Sequence, residues 1–65
     1  MDDRYLKMKK VAEILDSPER NVLDLITAGE LNGIRISARA IRISEKSLSE
    51  FIERRKINPE DILVR

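Results

Sequence analysis

Arg35, Arg39 and Arg42 fall within eight residues that contain no acid. The planar guanidinium fork matches phosphate oxygens in pairs, so three of them on one acid-free stretch point to contact with a polyanionic backbone. Charge along an exposed strand edge also guards against aggregation, but that purpose is served by either sign and does not call for three arginines. Upstream, Arg20, Asp24 and Thr27 recur at i, i+4 and i+7 with Asn21 beside Arg20. An arginine can grip guanine through two hydrogen bonds and an asparagine can do the same to adenine, so Arg20 and Asn21 are candidates for reading base edges. A pair between Arg20 and Asp24 would contribute only ~0.3 kcal/mol, weak enough for a phosphate or guanine to displace it. Asp24 would then act negatively, repelling phosphates out of register. Ser17 is read as a helix cap that can also donate to phosphate, and Glu19 as a partner for the helix dipole. Lys9 and Lys10 open a helix, where cations oppose the dipole and a nearby phosphate would relieve them.

These side chains sit on a chain of 65 residues with a formal net charge of +1. The total conceals a division. Residues 1–31 carry five Lys/Arg against seven Asp/Glu, residues 32–56 carry seven against three, and the last nine residues are net −1. A clustered basic middle is what an electrostatic footprint on phosphate requires. A single domain of this size hides only about 60% of its unfolded surface, which favours a binding module over an enzyme. With 42% hydrophobic and 38% charged residues the chain suits a folded domain with a heavily charged surface. The absence of cysteine and histidine excludes disulfides, zinc fingers, thiol chemistry and imidazole catalysis. Scattered carboxylates and the lack of a glycine-rich phosphate loop supply no catalytic machinery, and no metal or cofactor is implied. Tyr5 and Phe51 are the only aromatic residues, too few for stacking unpaired bases. No apolar run resembles a signal peptide or approaches the ~20 residues of a membrane span, so a cytoplasmic protein that engages no membrane is expected.

The elements that must position these residues follow from apolar spacing. Met8, Val11, Ala12 and Leu15 form one helical stripe, giving a first helix over 9–15 after a short extended stretch at Tyr5, Leu6 and Lys7. Val22, Leu25 and Ile26 repeat the spacing, predicting a second helix over 18–28 with Pro18 at its first position and Gly29 as the left-handed residue past its end. Two short helices joined by a tight turn describe a helix-turn-helix. Ile34 and Ile36 alternate with Arg35, and Ile41 and Ile43 with Arg42, the period of two half-buried strands. This predicts a hairpin whose isoleucines face the helices, with Arg35 and Arg42 on the opposite face and a four-residue tip over 37–40. Ser44 caps a third helix carrying Leu48, Phe51 and Ile52 that ends near Lys56, its cationic end formed by Arg54, Arg55 and Lys56. The domain then covers 1–56. Residues 57–65 form a tail, in which Asn58, Pro59, Glu60 and Asp61 resemble a cap and Ile62, Leu63 and Val64 a final turn.

The stretches "YLKMKKVAEIL", "RNVLDLITAGEL", "IRISARAIRI" and "SLSEF" together resemble the excisionase family of small DNA-binding proteins, over about residues 5–54. The resemblance implies a small α+β fold, a MerR-like winged helix-turn-helix with a two-stranded hairpin wing and a C-terminal helix. It also implies double-stranded DNA as partner, cooperative binding at adjacent sites and bending of DNA beside an integrase or other recombinase. The chain departs from the family's habit at Glu19 and Asp24, where arginine is common, at Leu23, where an aromatic is frequent, and at Ser37 and Ala38 in the wing. The apolar tail offers contact with a neighbouring copy or the recombinase, or packing on its own core. Two other functions fit the same fold: a small transcriptional regulator, repressor or antitoxin-like, and a protein-interaction adaptor that has lost DNA contact.

Overall fold

The computed structural model describes residues 3–59. Strand β1 (Tyr5–Lys7) leads into helix α1 (Met8–Leu15), then α2 (Glu19–Thr27), strands β2 (Gly33–Ser37) and β3 (Ala40–Ser44), and helix α3 (Glu45–Arg54). This small α+β arrangement is that of a winged helix-turn-helix. The three helices bury the stripes their spacing predicts, with Val11 and Ala12 from α1, Val22 from α2, and Leu48 and Phe51 from α3 meeting Leu31 and Ile43 in one core.

The turn between α1 and α2 is built differently from expectation. Asp16 adopts the left-handed conformation (φ 51°, ψ 50°), its N–H donating to the Glu13 carbonyl at 3.1 Å while the Ser17 N–H donates to that of Ala12 at 2.9 Å. That pair of bonds closes the end of a helix. Both residues therefore belong to the end of α1, and Pro18, extended at ψ 153°, becomes the N-cap of α2 rather than its first helical residue. The Ser17 side chain makes no capping bond. At the other end of α2, Gly29 is left-handed (φ 81°) as predicted, with its N–H on Ile26 O at 3.0 Å and that of Glu30 on Leu25 O at 2.9 Å.

The wing has three strands, ordered β1-β3-β2, because the extended stretch at Tyr5–Lys7 pairs antiparallel with β3. Its connection is also shorter than the expected four residues. Ser37 pairs with Ala40, leaving Ala38 and Arg39 as a two-residue turn. Neither has positive φ, so the turn lacks the primed geometry that matches strand twist, and the ladder breaks register between Arg35 and Ser37 with Ile36 as the extra residue. Below the bulge the partners are Gly33 with Ile43, Ile34 with Arg42, and Arg35 with Ile41.

A slip of one residue moves side chains to the other face. Arg35 therefore shares the inner face with Ile41 and Ile43, and Ile34 shares the outer face with Arg42. The expectation that Ile34 and Ile36 face the helices is overturned, since they are 47% and 60% exposed. Close packing supplies the reason. A Cβ on Gly33 would lie 3.1 Å from the Arg42 carbonyl oxygen and 3.7 Å from Ile26 Cδ1. The predicted register would set Ile34 opposite Ile43, at the place where a residue without a side chain lets α2 approach.

Ser44 caps α3 as the sequence indicates, its Oγ accepting from the Ser47 N–H at 3.1 Å. The start of the chain adds a clamp that sequence spacing does not show. Asp3 Oδ2 accepts from the Ser44 hydroxyl and Oδ1 from the Lys46 N–H at 3.0 Å, while the Glu45 N–H donates to the Arg4 carbonyl at 2.8 Å. These bonds, the one from Ser44 first, hold the Asp3 carboxyl below the ordinary aspartate value. Arg54 stands in the last turn of α3 as predicted and also makes a forked contact, with Nη2 3.1 Å from Glu30 Oε1 and 3.2 Å from the Glu30 carbonyl oxygen, while Arg55 Nη2 lies 3.4 Å from Oε2. The Arg54 bond in particular keeps the Glu30 carboxyl below its usual range. Of the cap expected over Asn58, Pro59, Glu60 and Asp61, the acidic part at Glu60 and Asp61 lies outside the described residues, as does the turn at Ile62, Leu63 and Val64.

The register makes two isoleucines of the same wing unequal. Ile43→Ala is expected to cost about 2–5 kcal/mol, and Ile36→Ala less than about 0.5 kcal/mol, measured by denaturant unfolding. For Asp3, a folded-state value below the unfolded one means stability that is present above the aspartate range and lost as pH falls through it. Asp3→Asn should therefore lower the melting temperature at neutral pH and leave a smaller further drop on acidification below about pH 4, read by thermal melts across a pH series.

Candidate nucleic-acid interface

On α2, Val22 turns inward, so Arg20, Asp24 and Thr27 occupy the opposite side of the helix. Arg20, Asn21 and Asp24 are exposed and Ser17 is half-buried just ahead of them. Arg20 and Asp24 form no ion pair. Asn21 Nδ2 lies 3.4 Å from Ser17 Oγ, a long contact that leaves its amide available. The Thr27 hydroxyl donates to the Leu23 carbonyl at 3.0 Å, so it does not serve as a donor on the polar face.

The wing divides its arginines. Arg35, on the inner face, lines a groove of about 260 Å³ together with Leu23, Ile26 and Thr27 of α2 and Gly33, Ile34 and Ile41 of the wing. Its Nη1 donates to the Ala38 carbonyl at 2.9 Å, bracing the tip. Arg39 is exposed in the two-residue turn. Arg42 is half-buried on the outer face between Lys7 of β1 and Ile34 of β2, and its Nη1 donates to the Ile41 carbonyl at 3.1 Å. The expected single ribbon of three guanidinium groups is thus a correction. Arg35 and Arg39 stand on the α2 side and at the tip, whereas Arg42 joins Lys7 on the far face.

Lys9 and Lys10 are exposed at the start of α1, whose first turn holds no acid and whose N-cap, Lys7, makes no side-chain capping bond. An open cleft of about 500 Å³ between α1 and α2 is lined by Lys9, Ala12, Glu13, Asp16, Ser17, Pro18 and Glu19. Three carboxylates face one ammonium there, so Lys9 and Ser17 meet an anion in a less favourable field than Arg20 and Arg35 do.

Leu23, marked in the sequence only as standing where an aromatic is frequent, also belongs to this surface. It is 43% exposed on the wing side of the polar face and forms one wall of the groove that holds Arg35. Its signal was available: a leucine one position out of phase with the Val22, Leu25 and Ile26 stripe. Among the described residues, no helix is long and apolar enough to cross a membrane.

A family model described as a helix-turn-helix domain matches residues 5–56. No curated protein matches the sequence.

Proposed function

Because the chain belongs to the helix-turn-helix domain family, whose members bind DNA, we propose that α2 enters the major groove of a duplex and reads it with Arg20 and Asn21. Both side chains are exposed in the first turns of α2, the end that approaches base edges in such domains, and neither is held in an ion pair. That availability carries the reading. Arg35 and Arg39 contact the phosphates flanking the groove, with Arg39 able to reach a minor groove from the tip. Ser17, Lys9 and Lys10 add backbone contacts beside the start of α2. Asp24, exposed in the middle of the polar face, penalises registers that bring a phosphate against it.

A lone domain neutralising three or four phosphates binds weakly, so useful occupancy calls for cooperation between copies or with a partner. Together with the resemblance of four stretches of the chain to excisionases, this supports an accessory role in recombination. The protein binds adjacent sites cooperatively and bends the duplex beside an integrase.

Titrating labelled duplex between 50 and 200 mM salt should give a slope of log affinity on log salt near about −3. Replacing Arg35 and Arg39 by alanine should flatten it by about 2, and Arg42→Ala by less than about 0.5. Binding that is absent or indifferent to salt would overturn the DNA reading and favour the adaptor. End-to-end energy transfer on a duplex carrying several sites should report bending that steepens as copies load. A noncooperative isotherm on straight DNA would favour a small repressor instead.

A further inference from the structure

We infer that Leu23 reads the methyl group of a thymine, making it a specificity-determining residue of the α2 surface; this rests on the proposed entry of α2 into the major groove. The core stripe of α2 is complete without Leu23, since Val22, Leu25 and Ile26 already meet the core. Leu23 instead stands one turn after Arg20 and one turn before Thr27, on the flank that looks toward the wing. It is 43% exposed and lines the groove beside the wing. Arg35 belongs to the same groove.

An occupant of this groove must bring an apolar group framed by negative charge. A wholly apolar partner surface would cover the leucine but would gain nothing from Arg35. The major-groove edge of a T·A pair offers both, because the thymine C5-methyl is the one apolar group that base pairs display there and phosphates run along each rim. The Thr27 hydroxyl, bonded to the Leu23 carbonyl, does not compete for this base edge. Leu23 thus favours thymine over cytosine at a base pair lying to the wing side of the contact made by Arg20.

The test begins by selecting the preferred site of the whole chain from a random duplex pool, then replacing each thymine in that site, one at a time, by deoxyuridine. Deoxyuridine lacks only the methyl. One position should show about a fourfold loss of affinity for the native chain, the worth of one buried methyl. Leu23→Ala should bind the two duplexes at that position within about twofold of each other, and Leu23→Met, which keeps the apolar bulk, should restore the difference. Thermal melts of both variants confirm that they are folded. A site in which no thymine responds, or a response that Leu23→Ala retains, overturns this inference and leaves DNA binding intact. Failure to enrich any site overturns the underlying reading as well.

Discussion

Ile43 lies in the middle strand of the sheet with Leu6 across from it on one side and Gly33 on the other, and its complete burial fixes the register of both neighbours. Because Gly33 presents no side chain, Ile26 of α2 comes up against the sheet at that point. The approach of α2 sets the groove between helix and wing, and the register below the Ile36 bulge sets which arginine looks into it. Had the ladder run without the bulge, Arg35 would stand on the outer face and the groove would lose its cation. The orientation of the binding surface thus descends from one buried side chain and one missing one.

The domain holds its three helix starts unequally. The N-terminus of α3 is closed by the Ser44 hydroxyl, by Asp3 and by the Arg4 carbonyl, which tie the beginning of the chain, the end of the wing and the last helix into one joint. Ser47 adds to it from within, its hydroxyl donating to the Ser44 carbonyl at 2.8 Å and accepting from the Asn32 N–H at 3.1 Å. By contrast, α1 and α2 begin without any side-chain cap. Orphan N–H groups at an exposed helix end attract anions. The end that is sealed joins three parts of the fold, and the open start of α2 is the one that carries Arg20 and Asn21.

The helices were legible because a spacing of three and four residues survives small errors of boundary: each predicted stripe is buried, and only Pro18 and the ends moved by a residue or two. The wing was less legible for the opposite reason. Strand alternation has a period of two, so the single extra residue at Ile36 reversed every assignment on β2 while those on β3 held. Nothing in "IRISARAIRI" marks the bulge, since it contains neither glycine nor asparagine; the constraint lies outside the strand, in the contact between Gly33 and α2. The Asp3 clamp was hidden because it joins residues more than forty positions apart. Arg20, Asn21 and Asp24 are exposed on α2 and Arg39 at the tip, and Arg42 keeps the outer face expected of it, whereas Arg35 changes face because its place depended on the lost register.

With Arg42 on the outer face, the surface around α2 holds fewer cations than the composition of residues 32–56 implies, and its neighbours Glu19 and Asp24 are acidic. Each lost phosphate contact weakens binding to every sequence alike, whereas a base-edge contact weakens or strengthens it for particular ones. On the proposed reading, a surface poor in phosphate contacts and furnished with Arg20, Asn21 and an exposed Leu23 gives low affinity for arbitrary DNA and a comparatively large ratio between right and wrong sites. Asp24 widens that ratio, because its cost falls chiefly on misaligned complexes. A domain so balanced would hold DNA weakly alone and discriminate well once a neighbour held it there, which is the balance that the proposed role in cooperative assembly requires.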